Sequence, residues 1–395
     1  MSDKILTISL YDNTDEELHP VSFGKKATIY TCGITPYDAS HLGHVATFTY
    51  FDVLVRLLMS FGIDVTLVRN VTDLDDPLFE RVRTSGEKLE DLVARNVAQL
   101  DEDLKMLNCI EPTHEPYSSD YIPQMISAIS KLLEKGNAYS VDGWTYFDTK
   151  KREPFPEFDH LRKLTPEMLL EIASERGADP DDPRAKSPLD FVLWKPSADD
   201  EPSFSTPFGV GRPGWHIECS VMALELLGET IDIHGGGDDL LFPHHACEVA
   251  QSESLTGELF VRHFMHVAPV AYEGEKMSKS LGNLVYADTI IHEIGEMCTR
   301  MMLLKHHYRE GYEHSEQDAK AAQIRCARWG QALTDFEGVG IKGNVYSQVC
   351  DALCKDLDTS LALEIIDRAV EEVISEPKVE LEADIYAAKE LLGFK

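Results

Sequence analysis

The sequence predicts an α/β fold, a parallel sheet with crossover helices that carries an insertion and ends in helices alone. Three observations carry this reading. A short β-type run at 27–32 is followed by apolar residues of helical period through about residue 61. Strand-like and helix-like segments then alternate to about 149 and again from Gly214 to about 270, the order that builds parallel sheets. Between them, residues 150–213 lose their periodicity, and beyond about Ile290 the pattern is helical throughout.

Taken in order, residues 1–20 read as a small leading strand and an acidic loop. The run 27–32 is the first buried strand, bounded by Gly24 and Gly33. It leads past Cys32 and Pro36 to His41-Leu42-Gly43-His44, which opens the first long helix. A strand feeding a turn that starts a helix suits phosphate, because the first helical N–H groups lack partners. Gly43 would let a nucleotide approach the backbone, and His41 and His44 can donate to phosphoryl oxygens. The next strand, 65–68, ends in a run containing Asp73, Asp75 and Asp76. These lie where α/β sheets bind ligands, and equally where a helix would be capped ahead of Pro77.

Helices follow near 87–107 and 121–135, then a short strand at 143–148. Prolines and acidic residues crowd 179–183 and 196–202, which marks 150–213 as an inserted subdomain or lid. From Gly214, Trp215–Cys219 opens a helix, 230–233 is a strand, and Gly235-Gly236-Gly237 is a tight turn. A helix at 243–252 and a strand at 264–270 lead to Lys276-Met277-Ser278-Lys279-Ser280. The expected organisation is a catalytic domain in two halves, 1–149 and 214–270, with 150–213 inserted. Residues 271–310 form a loop and stem-contact region, and 311–395 a helical bundle ending in an amphipathic 383–392.

With 395 residues the chain is long enough for two or three domains and a large core. Asp and Glu number 69 against 37 Lys and Arg, a net charge of −32. That balance argues against a broad phosphate-neutralising surface and for a soluble, cytoplasmic protein. The eight cysteines form no small-scaffold framework and read as reduced thiols. The first twenty residues lack a secretory pattern. The apolar stretch 51–68 is broken by Asp52, Arg56 and Asp64, so no membrane partner is expected.

His244 and Glu248 are four apart on a predicted helix, so both project from one face. Cys32 and Cys219 each sit at a strand–helix junction. Together the four offer thiolate, imidazole and carboxylate, a set zinc accepts. Spacing alone makes this weak, since four scattered residues of ligating type occur in most chains. The neighbouring Cys247 reads as a packed thiol. Taken singly, the His-x-Gly-His turn and the Lys/Ser run also have ordinary readings, as packing histidines and a solvated turn.

Read together, the early HLGH and late KMSKS match the paired signatures of class I aminoacyl-tRNA synthetases, whose catalytic domain is a Rossmann-type parallel sheet. TCGITPYDASHLGH, NVTDLDD, GRPGWHIECS, IHGGGDDLLFPHH and KMSKSLGN, in this order, resemble the cysteinyl-tRNA synthetase family over residues 27 to about 285. The resemblance implies one zinc ion held by Cys32, Cys219, His244 and Glu248, which receives the thiolate of the substrate cysteine. It implies ATP with Mg2+, bound by His41 and His44 and by Lys276 and Lys279 as the leaving pyrophosphate gathers charge. Met277, Ser278 and Ser280 complete the latter loop, and Gly43 the former. Gly33, Thr35, Thr72, Trp215 and His234 would border the amino acid, with Trp215 shielding the thiol, while Gly235, Gly236, Gly237 and Asp238 would approach adenosine.

Four departures are similar to another branch, the cysteine ligases of mycothiol biosynthesis. Ala46 stands where the synthetases carry Arg, Pro77 where they carry Lys, and Ile34-Thr35-Pro36 replaces their Pro-Thr-Val. The helical tail is short and acidic. This resemblance implies ligation of L-cysteine to the amine of glucosaminyl-inositol through a cysteinyl-adenylate, by a monomer. Charging of tRNA(Cys), or a catalytically silent binding module, are the alternatives. Glu248 cuts the other way, keeping the synthetases' fourth ligand place where the ligases use three; a metal-ligand and a solvated-carboxylate reading of it both stand.

Overall fold

A computed structural model describes residues 5–277, 282–333 and 339–395 of the chain. It opens with a hairpin, β1 (Leu6–Asp12) and β2 (Glu17–Phe23), rather than one strand and a loop; the two pair along their whole length, Leu6 opposite Phe23 through Asp12 opposite Glu17. Alternation explains it. Ile8, Leu10, Val21 and Phe23 face the core while their neighbours face water.

The sheet at the centre begins with β3 (Lys26–Ile34), α1 (Leu42–Ser60) and β4 (Asp64–Val71). After β4 come α2 (Asp76–Ser85), α3 (Leu89–Met106) and α4 (Ile122–Lys135). Asp75 caps α2 by accepting from the Asp76 N–H at 2.9 Å, with Pro77 in the first turn, so the capping reading of this acidic run holds for Asp75. The helix α1 is the one among the described residues long and apolar enough to cross a membrane, but 78% of that window is buried inside the fold. It is apolar all round because it is covered all round.

Two further strands, β5 (Ala138–Val141) and β6 (Trp144–Phe147), precede α5 (Pro166–Glu175). They join β7 (Phe191–Lys195), β8 (Phe204–Thr206) and β9 (Gly209–Pro213) in a five-stranded antiparallel sheet ordered β5-β6-β7-β9-β8. Its short strands, separated by proline-rich loops, are why no periodicity shows at 150–213, and its first two strands come from before residue 150.

The parallel sheet resumes through α6 (Trp215–Leu227), β10 (Ile233–Gly237), α7 (Ala246–Thr256) and β11 (Phe264–Val267). Its order is β11-β10-β3-β4, so the winding runs outward in opposite directions from β3 and β10. The crevice at the carboxyl ends of those two strands is the place where such a sheet takes a ligand. Gly235, Gly236 and Gly237 are strand residues of β10, not the expected tight turn. A Cβ at Gly235 would lie 1.8 Å from the Met265 carbonyl oxygen, so glycine there serves close strand approach.

A small sheet of β12 (Val270–Tyr272), β13 (Glu275–Lys276) and β14 (Tyr312–Glu313) frames the following helices α8 (Ala287–Ile294) and α9 (Glu296–Leu304). The remainder is α10 (Glu316–Leu333), α11 (Asn344–Leu353), α12 (Thr359–Ser375) and α13 (Val379–Leu391). These helices do not stand apart. One apolar cluster runs from Ile8 and Val53 through Met301 and Leu303 to Ile366 and Phe394.

Candidate active site and metal centre

The first half of the site is made by the end of β3 and the start of α1. His41 precedes α1, and its Nδ1 accepts from the Gly43 N–H at 3.1 Å. His44 Nδ1 accepts from the His41 N–H at 3.3 Å, and the two rings stack with centroids 3.9 Å apart. This is a reciprocal cap built from imidazoles. Because each Nδ1 accepts from backbone, the proton of each neutral ring sits on Nε2, so both rings present a donor away from the cap. Gly43 has a local reason too. A Cβ there would fall 2.9 Å from the His41 ring, which could then not fold back onto the helix.

The second half is buried behind the sheet. Cys32 Sγ lies 3.9 Å from Cys219 Sγ and 3.7 Å from Glu248 Oε1. His244 Nε2 lies 3.1 Å from the same carboxylate oxygen, while Glu248 Oε2 is 3.2 Å from His234 Nε2. The ligating atoms of Cys32, Cys219, His244 and Glu248 all fall within 4.8 Å of one another, and so do those of a second set, Cys32, His234, His245 and Glu248. Glu248 is fully buried, which removes the solvated reading of that residue.

The electrostatics test whether this set suits a cation. Burial pushes the Cys32 and Cys219 thiols and the Glu248 carboxyl above their ordinary ranges, and pushes His244 well below its own. For Cys219 the hydrogen bond with Cys32 is the largest influence and opposes that rise. Four polar groups therefore sit desolvated, and His244 Nε2, although 3.1 Å from Glu248 Oε1, makes no aligned hydrogen bond among the described residues. A divalent cation would satisfy all four as deprotonated ligands, and the thiol–imidazole–carboxylate set fits zinc.

An aromatic and histidine layer separates this centre from solvent. Trp215 stacks on His244 with centroids 4.1 Å apart, and His216 Nδ1 is 2.8 Å from His244 Nδ1. Burial drives His216 down to about 3. Behind them His245 Nδ1 meets His266 Nε2 at 2.7 Å. The sequence reading did not single out His216, His245 and His266. The His-His doublet after Pro243 and the histidine next to Trp215 were the signals available.

A cavity of about 880 Å3 joins the two halves, lined by Cys32, His41, Gly43, His44 and Trp215 among others. Gly33, Thr35, Gly237, Asp238 and the buried Met277 also reach its wall. Other expected residues lie behind it. Thr72 is 3% exposed, its hydroxyl taking the Asn70 amide at 3.2 Å, and His234 is fully buried with Nδ1 at 3.0 Å from the Tyr30 carbonyl. Gly235 and Gly236 lie inside β10. Ser278, Lys279 and Ser280 lie outside the described residues, and of Lys276 the backbone alone is described, in β13.

The chain is similar to known proteins. Residues 19–324 match the family of tRNA synthetases class I (C), catalytic domain. The chain is 41% identical to the L-cysteine:1D-myo-inositol 2-amino-2-deoxy-alpha-D-glucopyranoside ligase of Acidothermus cellulolyticus, over 91% of this chain and 88% of that protein. It is 40% identical to the ligase of the same name from Nocardia farcinica, over 93% and 90%. Among solved structures it resembles Mycobacterium tuberculosis methionyl-tRNA synthetase in complex with methionyl-adenylate, with a TM-score of 0.64 at 16% identity over 93% of this chain and 89% of that one. At that identity the likeness establishes the fold, that of class I synthetases.

Proposed function

We infer the function from one premise: this chain belongs to the family of class I (C) tRNA synthetase catalytic domains, and to its branch of cysteine ligases. It is an ATP-dependent ligase. Its reaction joins L-cysteine to the amine of glucosaminyl-inositol in the biosynthesis of mycothiol. Cysteine is first activated as cysteinyl-adenylate with release of pyrophosphate, and the amine then displaces AMP.

The observation that carries this reading is the cluster of Cys32, Cys219, His244 and Glu248, whose Cys32 opens on the same cavity that the His41–His44 cap lines. A zinc ion, when bound, supplies a Lewis acid that prefers a thiolate to a serine hydroxyl, a distinction that pocket shape alone makes poorly. Cys32, Cys219, His244 and Glu248 are the residues to hold it. Trp215 packs over His244 and keeps water from that end of the cavity. At the other end, the Nε2–H groups of His41 and His44 are placed to donate to ATP phosphate, brought in as its magnesium complex, as charge develops on the α-phosphate. Lys276 and Lys279 would neutralise the departing pyrophosphate. Gly237 and Asp238, at the end of β10, border the place for adenosine; Gly33 and Thr35 border that for the amino acid.

The test has two stages. Zinc-loaded protein should catalyse cysteine-dependent ATP–pyrophosphate exchange, with serine at least about 10²-fold poorer. It should then form an amide with glucosaminyl-inositol. Exchange followed by transfer to tRNA(Cys) and not to the amino sugar would overturn the ligase assignment; no exchange at all would overturn the enzyme. Monomeric state and a cytoplasmic location belong to the same proposal, with sedimentation as the check on the first.

A further inference from the structure

The cavity has a third arm that activation of cysteine does not use. Its wall is the turn at Asp75 and Asp76 together with Lys195 of β7, Arg212 of β9 and Trp144 of β6. Sheet register brings the last three together. Lys195 stands opposite Arg212, and Thr145 opposite Trp194, which carries Trp144 to the Lys195 end of the same sheet. The sheet is thereby fixed to the turn, since Asp76 takes Lys195 Nζ at 2.5 Å and also Arg212.

Charge is distributed unevenly along this wall. Lys195 pairs with Asp76, and Arg212 with both Asp76 and Glu201, the latter at 2.9 Å and with side chains under a tenth exposed on each partner. Glu201 also takes Arg83 at 2.8 Å, and Arg83 holds Asp200, so three cations and three carboxylates are paired with one another. Asp75 is outside this set. One of its oxygens caps α2, and no donor among the described residues holds the other. Arg184, over Trp144, is likewise held by Asp182 at 2.7 Å, so this wall offers a carboxylate oxygen to a cationic or proton-shedding ligand while its cations are already paired.

We propose that this arm is the acceptor subsite, seating an amine-bearing polyol beside the Asp75 turn, and that Asp75 is the base that takes the proton from the attacking nitrogen. The proposal rests on the ligase reading above. The nitrogen lone pair forms a bond to the cysteinyl carbonyl carbon. The carbon–oxygen bond to the phosphate breaks, its electron pair leaving on AMP, and the proton shed by nitrogen passes to the free Asp75 oxygen. The carboxylates and cations facing Asp75 are Asp76 on α2, Lys195 on β7 and Arg212 on β9, with Tyr37 from the loop after β3 and Glu218 on α6 also within its field. Burial, the largest influence, holds the Asp75 carboxyl above the ordinary aspartate range, and Lys195 and Arg212 pull it back. A base raised in this way is better matched to an amine than a solvated carboxylate.

Asp75→Asn tests it, because asparagine caps a helix as well as aspartate does. Zinc-loaded wild type and variant are given cysteine and ATP with either hydroxylamine, which is already unprotonated at neutral pH, or glucosaminyl-inositol. The readout is the ratio of amino-sugar amide to cysteine hydroxamate formed by the same enzyme. The ratio should fall by about 10²-fold or more in the variant. An unchanged ratio overturns the proposal. If Asp75→Asn does not fold, Asp75→Ser, which caps through its hydroxyl, is read the same way. Wild type that makes hydroxamate but transfers cysteine to tRNA instead of the amino sugar would show that the ligase reading itself had failed.

Discussion

Cys219 reaches Cys32 across 187 residues of chain, from the second turn of α6 to the end of β3. No local spacing fixes this meeting; the switch in winding between β3 and β10 does. The thiol matters here for its chemistry more than its size. Both sulfurs are buried and held protonated by their surroundings, so a cation is what makes them thiolates. Cys219→Ser keeps the volume and removes the soft donor. Metal retention after dialysis against a chelator should fall on the order of tenfold or more, and cysteine-dependent exchange should fall with it. Metal content equal to wild type, measured by atomic absorption, would take Cys219 out of the centre.

At the scale of elements, the inserted antiparallel sheet carries its own acid sensitivity. Arg184 holds Asp182 by two hydrogen bonds, at 2.7 and 3.0 Å, and the Tyr146 hydroxyl donates to the same carboxylate at 2.5 Å. The Arg184 hydrogen bonds, foremost, bring the Asp182 carboxyl down to about 2, against about 3.9 for a free aspartate. Its folded pKa is therefore depressed. The unfolded chain takes up a proton that the folded one refuses, so the pair's contribution is whole above about pH 4 and lost as pH falls towards 2. Arg184→Ala should lower the urea midpoint at pH 7 and leave it nearly unchanged near pH 2. Trp144, which lies under the Arg184 guanidinium at 3.8 Å, should report it by fluorescence. A deficit that persists at pH 2 would mean that packing on Trp144, rather than charge, is what Arg184 supplies.

That sheet also marks the limit of what could be read in advance. The long elements α1, α3, α4 and α6 were legible because each has enough turns to show a period. Strands of three to five residues such as β7, β8 and β9 were not, since so short a run cannot separate alternation from chance. The glycine run at 235–237 was misread as a turn because the sequence cannot say that Met265 and Phe51 crowd β10. The four candidate ligands could be named from the sequence; their convergence, the histidine layer behind them and the Asp75 arm required the fold.

For the molecule as a whole, two features act against each other. The core is continuous. Arg300 of α9, fully buried, donates to Asp52 of α1, to the Leu392 carbonyl at 2.6 Å and to the Leu107 carbonyl at 2.7 Å, tying the catalytic sheet's first helix to the C-terminal helices. Outside that core the surface is strongly acidic, at −32 overall. Most lysines and arginines with an ion pair have their partners within a few ångströms, and exposed pairs of that kind contribute about 0–1 kcal/mol each. With 69 carboxylates against 37 Lys and Arg, like charges repel one another over a Debye length of about 10 Å at 0.1 M salt, which shrinks to about 3 Å at 1 M. Salt weakens both terms, but the pairs gain little each while the net charge of −32 repels throughout, so screening should favour the compact state. Tm should therefore rise by several degrees between about 0.1 and 1 M KCl, with chloride chosen because sulfate would stabilise by exclusion from any surface. A Tm that falls over this range would mean that the ion pairs, not the self-repulsion, dominate the electrostatics of the folded chain.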